Sequence, residues 1–296
     1  MNKKMLPIKN TRFLITGGSG SLGRNIIKRL LDLGAEKILS ISRDEGLIKE
    51  AENEINSSFV RFKLGDIADK ELIANAMKDI DVVFHTAAIK HVSLAEQNPR
   101  EAHRVNILGL LNILNSSQLI KRLIYVSSDK AINVTNCYGA TKLLAEYLVK
   151  ESVDLYSGTT FIIARCPNLL GSRGSVLPLW EQQLKKDNKI KITDPEMTRY
   201  FINIPDAAKF LVDVGLATNP DSSKIFYPLE YTKKFKLKSL AQAFLKVRGN
   251  KYSSIETIGA SPGEKKHEDY IANCPLMSIK ELTSVIKINS AIGNDI

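Results

Sequence analysis

Cysteine is scarce in this chain. Cys137, Cys166 and Cys274 are odd in number and far apart. Such a set forms neither a disulfide framework nor a zinc-ligand pattern, and it fits a reducing compartment. No metal site is expected. Long hydrophobic runs are missing too. No apolar stretch reaches the roughly 18 residues of a membrane span. The opening MNKKMLPIKN has basic residues but no apolar core behind them, so it does not read as a signal peptide. There is no internal repeat and no low-complexity tract. Charge of one sign is in modest surplus, 42 Lys and Arg against 32 Asp and Glu, or +10. The basic residues are dispersed, with short pairs such as Lys185-Lys186 and Lys233-Lys234. Without a polybasic tract or an aromatic-interleaved stripe, nucleic acid is not the expected partner. The surplus suits an acidic ligand such as a nucleotide, or is a lysine-rich surface without a ligand. A cytoplasmic protein with no membrane partner is expected.

At 296 residues and 44% hydrophobic content, the chain can form one large domain or a domain with a smaller companion. Residues 12–34 read as strand, glycine turn and helix: RFLIT, then GGSGSLG, then an amphipathic stretch carrying Ile26, Ile27, Leu30 and Leu31. The glycines are Gly17, Gly20 and Gly23. In a strand-to-helix turn the first permits the tight turn, and the second lets backbone approach a pyrophosphate. The third lets helix and sheet pack closely. Phosphates then meet free N–H groups at the helix start. Ser19, Ser21 and Leu22 complete the expected dinucleotide loop.

The next strand, KILSI at 37–41, ends in Ser42-Arg43. An acidic residue at this tip would hold a ribose 2′-hydroxyl, whereas an arginine suits a 2′-phosphate. Ser42 and Arg43 therefore favour NADP over NAD, although Asp44 and Glu45 follow directly. Further strands are expected at 59–64, 81–85 and 161–165. Asp66 and Ile67 follow the first of these, near the adenine. Ala87 and Ala88 follow the second, small enough for backbone to pass beneath a cofactor. A helix is expected over 99–114, with Asn106 as a buried polar residue satisfied by backbone. Strands alternating with helices from 12 to 164 argue for a doubly wound parallel α/β sheet.

Residues 123–146, LIYVSSDKAINVTNCYGATKLLAE, carry the chemistry. An apolar strand ends in Ser127, Ser128, Asp129 and Lys130. Tyr138 and Lys142 then open a helix, four residues apart and hence on one face. An ammonium beside a phenol lowers its pKa and makes it a usable base. Beyond residue 165 the alternation loosens. The expected division is a dinucleotide-binding domain at 1–165 and a mainly substrate-binding part at 166–296, with room for strands that return to the sheet.

TGGSGSLG, GDIAD, HTAA, SSDK and YGATK, in this order, resemble the extended short-chain dehydrogenase/reductases that modify nucleotide sugars. SRDE at 42–45, HTAAIKHVSLAEQNP at 85–99, NLLGSRGSV at 168–176, ITDPEMTR at 192–199 and PGEKKHE at 262–268 resemble the polysaccharide-biosynthesis branch. Within it the chain is most similar to the inverting UDP-N-acetylglucosamine 4,6-dehydratases. The resemblance implies a Rossmann fold and a UDP-sugar substrate. It implies catalytic roles for Asp129 as acid, Lys130 as base at the sugar C5, and Tyr138 with Lys142 in the redox step. Ser128 would hydrogen-bond the 4-oxygen. Tyr138 and Lys142 would also touch the cofactor. Lys90, Asn168, Arg173, Ser175, Arg199 and Glu264 would hold the substrate. Helices near 94–115 and 138–152 would pair across a two-fold axis into a homodimer or higher even oligomer. With about ten residues before the first strand, a soluble enzyme is expected rather than an anchored one.

Two positions depart from the branch. Ser261 replaces an arginine before PGEK, and Cys166-Pro167 replace Tyr-Gly after Arg165. A 4-epimerase or 4-keto reductase needs Tyr138 and Lys142 but not the acid and base at 129–130. A non-catalytic NADP-binding protein is the other alternative, since fold alone does not establish function.

Overall fold

A computed structural model of the chain describes residues 6–292 apart from 223, 261 and 271–273. Ser261 thus lies outside the described residues. The first elements are β1 (Arg12–Thr16), α1 (Ser21–Asp32), β2 (Lys37–Ser42), α2 (Glu45–Ile55), β3 (Val60–Leu64) and α3 (Lys70–Met77). Next come β4 (Val82–His85), α4 (Val92–Gln97), α5 (Pro99–His103), a π-helical turn at Arg104–Leu108, and α6 (Gly109–Leu114). β5 (Arg122–Ser128), α7 (Cys137–Leu155), β6 (Thr160–Cys166), β7 (Asn168–Leu170), α8 (Val176–Asp187), β8 (Lys189–Ile192) and β9 (Thr198–Asn203) follow. The last are α9 (Ile204–Gly215), β10 (Ile225–Phe226), β11 (Lys233–Lys236), α10 (Leu237–Arg248), β12 (Ser254–Thr257) and α11 (Ile279–Ile292).

The elements form two compact units, Met1–Cys166 with Ile204–Pro228, and Pro167–Asn203 with Leu229–Ile296. The first unit holds a seven-stranded sheet in the order β10-β6-β5-β4-β1-β2-β3. Every pairing in it is parallel. Its central strands are buried throughout, all seven residues of β5 included. That matches their near-continuous apolar sequence, the pattern of a sheet covered on both faces. The strand order reverses between β1 and β4, the switch point where such sheets bind ligands beyond the strand carboxyl ends. Segment 204–228 returns the chain to this unit and adds β10 to the sheet edge.

The expected continuous helix over 99–114 is interrupted by the π turn. Asn106 lies inside it, and its amide accepts from the Ile89 N–H at 2.8 Å and donates to the Ile89 carbonyl at 3.1 Å. A side chain tied to a neighbouring loop at both ends accounts for the extra residue in that turn.

The second unit carries a three-stranded sheet, β11-β9-β7, and the pair β12-β8. Its core gathers Trp180, Phe201, Phe235, Leu240 and Phe244. Trp180 is fully buried, stands 5.5 Å from the Phe244 ring, and donates from Nε1 to the Lys191 carbonyl at 2.8 Å. Trp180→Ala opens a large cavity and orphans that carbonyl. The expected loss is about 3–5 kcal/mol, read as a lower denaturant midpoint by circular dichroism; a loss below about 1 kcal/mol would contradict this packing.

Candidate active site

The glycine turn between β1 and α1 is tightly built. Gly17 has φ +72°, and a Cβ there would lie 3.0 Å from the Ala87 backbone. A Cβ on Gly23 would lie 2.5 Å from Gly17 O and Gly18 Cα, which are backbone atoms that cannot yield. Helix α1 starts after Gly20 with no side-chain cap. A helix start of this kind, close behind a glycine turn, is the arrangement that suits a pyrophosphate. These residues fit a dinucleotide.

Around this turn Ser19 and Ser42 are buried, and the Ser19 N–H donates to Ser42 Oγ at 3.1 Å. Arg43 stands half exposed beyond the strand end. Its Nη1 is 2.9 Å from Glu101 and 3.7 Å from Asp66. Asp66 accepts from the Ala68 N–H at 2.9 Å and from Arg104 at 2.7 Å. Ile67 is buried in the core beneath them, and Ala87 packs against the same core. Glu101 and Arg104 were not legible as site residues. Only their i,i+3 spacing and opposite charge hinted at a pair.

The tip of β5 gathers the reactive side chains. Ser128 donates from Oγ to Asp129 Oδ1 at 2.8 Å. Lys130 Nζ lies 3.0 Å from Asp129 Oδ1 and donates to Oδ2 at 3.2 Å. The Asp129 side chain is fully buried and that of Lys130 nearly so. Tyr138 is buried at the start of α7 and hydrogen-bonds Ser128. The structure therefore brings Ser128, Asp129, Lys130 and Tyr138 together. Lys142 comes from the next turn of α7. Its Nζ donates to the Val126 carbonyl at 2.7 Å and lies 4.7 Å from the centre of the Tyr125 ring. Tyr125 stacks on His85.

One turn further along α7, the Glu146 carboxylate is clamped by Arg165 at 2.7 and 2.6 Å and by Ser127 at 2.5 Å. Arg165 also donates to the Tyr227 hydroxyl at 2.8 Å. Glu146, Tyr125 and His85 escaped the sequence reading because each looks like core filling in a strand or helix. Cys166 ends β6 in register with Ser128. Lys90 is exposed after β4, with Ala88 close by in the same loop.

In the second unit Asn168 donates to Tyr200 O at 2.7 Å and to Glu268 at 3.0 Å. Arg199 is mostly buried, 2.9 Å from Glu264 and 3.6 Å from Glu268. Asn168, Arg199 and Glu264 thus share one polar group, joined through Glu268, which sequence reasoning missed. Arg173 is exposed in the turn before α8. Ser175 caps that helix by position only. Its buried Oγ has no hydrogen-bond partner among the described residues.

The profile of the family described as Polysaccharide biosynthesis protein matches residues 13–289. The chain belongs to this family. Its fold is that of the short-chain dehydrogenase/reductases. An inverting UDP-N-acetylglucosamine 4,6-dehydratase of Campylobacter jejuni is 37% identical over 266 residues, covering 88% of this chain and 77% of that protein. A UDP-glucose 4-epimerase of Rickettsia bellii is 32% identical over 292 residues, covering 93% and 82%. The X-ray structure of Pen from Bacillus thuringiensis superposes with TM-score 0.88 at 30% identity, covering 96% of this chain and all of that one. The chain spans about half the length of two other relatives, a capsular polysaccharide biosynthesis protein of Staphylococcus aureus and a probable polysaccharide biosynthesis protein of Bacillus subtilis. One relative, from Methanocaldococcus jannaschii, is named a membrane protein. Among the described residues here, no helix is long and apolar enough to cross a membrane.

Electrostatics at this family member's β5 tip correct one expectation. Tyr138 is not lowered by Lys142. Burial pushes its phenol up to about 12, against the pull of the Lys130 charge and the Ser128 hydrogen bond. Lys142 spends its ammonium on a carbonyl and a ring face instead. Burial lowers Lys142 itself to about 8, with Glu146 and Cys166 opposing. Burial raises the Cys166 thiol to about 12 and drops His85 to about 3, so both are neutral near pH 7.

A stability test follows for Lys142. Unfolded, it titrates near 10.5; folded, near about 8. Between those values the unfolded chain holds a proton that the folded chain has released, so this group's contribution to stability rises with pH there. The unfolding free energy of wild type relative to Lys142→Met should therefore climb from about pH 8 to about pH 10. A flat difference across that window would contradict the burial of the ammonium.

Proposed function

We propose that the chain is a nucleotide-sugar 4,6-dehydratase acting on UDP-N-acetylglucosamine with inversion at C5. The observation that carries the reading is the Asp129–Lys130 pair in contact at the β5 tip, hydrogen-bonded through Ser128 to Tyr138. An epimerase or a ketoreductase needs the tyrosine and lysine of α7. It has no use for a buried carboxylate and amine side by side.

Bound in the glycine cradle, a nicotinamide dinucleotide supplies reversible two-electron oxidation at the sugar C4 and the matching reduction at C6. Arg43 at the β2 tip supports NADP as that dinucleotide. Tyr138 first gives its own proton to solvent; as the tyrosinate, the form that the Lys130 charge favours, it takes the proton of the 4-hydroxyl while Ser128 holds the oxygen. The resulting ketone acidifies the C5 hydrogen. Within the 3.0 Å pair a proton can pass from Lys130 to Asp129, leaving an amine and a carboxylic acid. In a buried site the neutral pair avoids the desolvation cost of two charges. The amine takes the C5 proton, and the acid protonates the departing C6 hydroxyl, which leaves as water. A proton returned to C5 on the opposite face inverts that centre.

The UDP moiety is assigned to the second unit. The orphaned Ser175 hydroxyl at the start of α8 suits a phosphate oxygen, as do Asn168 and Arg173 beside it in sequence. Arg199 is assigned to the diphosphate and Glu264 to the uridine ribose. Lys90 is assigned to the sugar end. Assembly follows from exposed apolar side chains: Leu94 on α4, and Leu144 and Tyr147 on α7. We assign them to a homodimer face. A strictly monomeric mass by light scattering at micromolar concentration would count against it.

The deciding experiment is incubation with UDP-N-acetylglucosamine in deuterium oxide, followed by NMR of the product. A dehydrated product with solvent deuterium at C5 is expected. A 4-epimerase, which the Rickettsia bellii relative keeps in view, would return an epimer without deuterium. Lys130→Ala should abolish both dehydration and C5 labelling; retained turnover in that variant would remove Lys130 from the mechanism.

A further inference from the structure

Four charged side chains outside the catalytic cluster converge where the tips of β2 and β3 meet α5 and the π turn that follows it. Arg43 Nη1 is 2.9 Å from Glu101 Oε1. Arg104 grips the same carboxylate twice, Nε to Oε2 at 2.7 Å and Nη2 to Oε1 at 2.8 Å. Arg104 Nη2 also reaches Asp66 Oδ2 at 2.7 Å. Glu101 Oε1 is therefore shared by two guanidinium groups. The i,i+3 spacing on α5 and the π turn pins it there. Its carboxyl is drawn down to about 2, first by the Arg104 hydrogen bond, so it stays anionic at any working pH. Two cations and two anions leave the group neutral. Arg43, the residue that would greet a 2′-phosphate, is already spoken for.

We propose that Glu101 is a specificity-determining residue at the adenosine end of the site: it competes with a 2′-phosphate for Arg43 and so narrows the preference for NADP over NAD. This rests on the dinucleotide reading given above. A 2′-phosphate must take Arg43 Nη1 from Glu101, while Arg104 keeps the carboxylate in place nearby. The entering dianion then meets an anion that cannot leave. An unphosphorylated ribose brings a hydroxyl instead, a donor that a carboxylate accepts. Ser42 accepts the Ser19 N–H at 3.1 Å and keeps its O–H to offer a phosphate, but it brings no positive charge to set against that anion. Glu101 thus opposes the phosphorylated dinucleotide and favours the plain one, in the same pocket where Arg43 does the reverse.

The test is the ratio of dissociation constants for NADH and NADPH, measured by fluorescence on the full chain. Glu101→Gln keeps the shape and removes one charge at a partly exposed position. It should raise the preference for NADPH about tenfold, the order expected for one unit charge a few ångströms from a phosphate at partial exposure. A strut that only holds Arg104 would move both constants together and leave the ratio unchanged, and that result overturns the proposal. Arg43→Ala tests the underlying reading separately. It should weaken NADPH far more than NADH; equal losses there would remove Arg43 from cofactor choice. An unmoved ratio in Glu101→Gln beside a collapsed ratio in Arg43→Ala would sink the role of Glu101 alone. Equal melting temperatures of wild type and Glu101→Gln exclude a folding defect.

Discussion

Desolvation at the tip of β5 is the constraint that the rest of the first unit answers to. β5 is a central strand flanked by β4 and β6, so whatever it carries beyond Val126 starts from a buried position. Charge is costly there, and each ionisable group has either a partner or a neutral form. His85 and Cys166 are neutral. Asp129 has Lys130 and Ser128. Lys142 rests on a carbonyl and an aromatic face. The buried ion pair of Glu146 with Arg165 has both carboxylate oxygens engaged, the condition under which such pairs hold. Removing either partner would strand a charge at a cost of several kcal/mol. That clamp ties α7 to β5 through Ser127 and to β6 through Arg165. It thereby fixes where Tyr138 and Lys142 emerge.

Much of this was legible in the sequence, for identifiable reasons. β1, the glycine turn and α1 announce themselves because the turn needs residues without Cβ at fixed spacing, and an apolar strand and an amphipathic helix flank it. Ser128, Asp129, Lys130 and Tyr138 could be grouped because a strand end and a helix start close in sequence must be close in space. What could not be read is long-range. Glu101 reaches Arg43 across 58 residues and Glu268 reaches Asn168 across 100. Nothing in local periodicity marks such pairs. The π turn was invisible for a related reason, since it follows from where the Ile89 backbone lies. Lys142 was placed on the correct helix face, but its direction was misjudged. An i,i+4 spacing puts two side chains on one face without deciding which acceptor the longer one chooses.

The same physics separates the two ends of the dinucleotide cradle. At the glycine turn the donors are backbone amides, which carry no net charge and tolerate any pyrophosphate. At the β2 tip the donors and acceptors are charged side chains at partial exposure, where each pair is worth little on its own. Backbone fixes that a dinucleotide fits; a small balance of opposing charges sets which one. Such a balance moves by single substitutions without disturbing the fold, whereas the glycine turn does not.

The upward shift of Tyr138 bears on the order of events in the proposed reaction. Its phenol is favoured as an anion by the charge on Lys130, and disfavoured by Asp129. Lys130 can act as a base only after giving its proton away, and then its help to Tyr138 is gone. The two bases therefore cannot be ready together. While Lys130 is charged, Tyr138 is at its most acidic and can serve the 4-hydroxyl. Once Tyr138 has taken that proton it is neutral and no longer needs the ammonium, and the Lys130 proton is free to move onto Asp129. That transfer creates the amine and the acid just when a 4-ketone has made the C5 hydrogen removable. In the proposed reaction that 3.0 Å contact supplies the proton transfer, and oxidation precedes elimination because only the 4-ketone makes the C5 hydrogen removable.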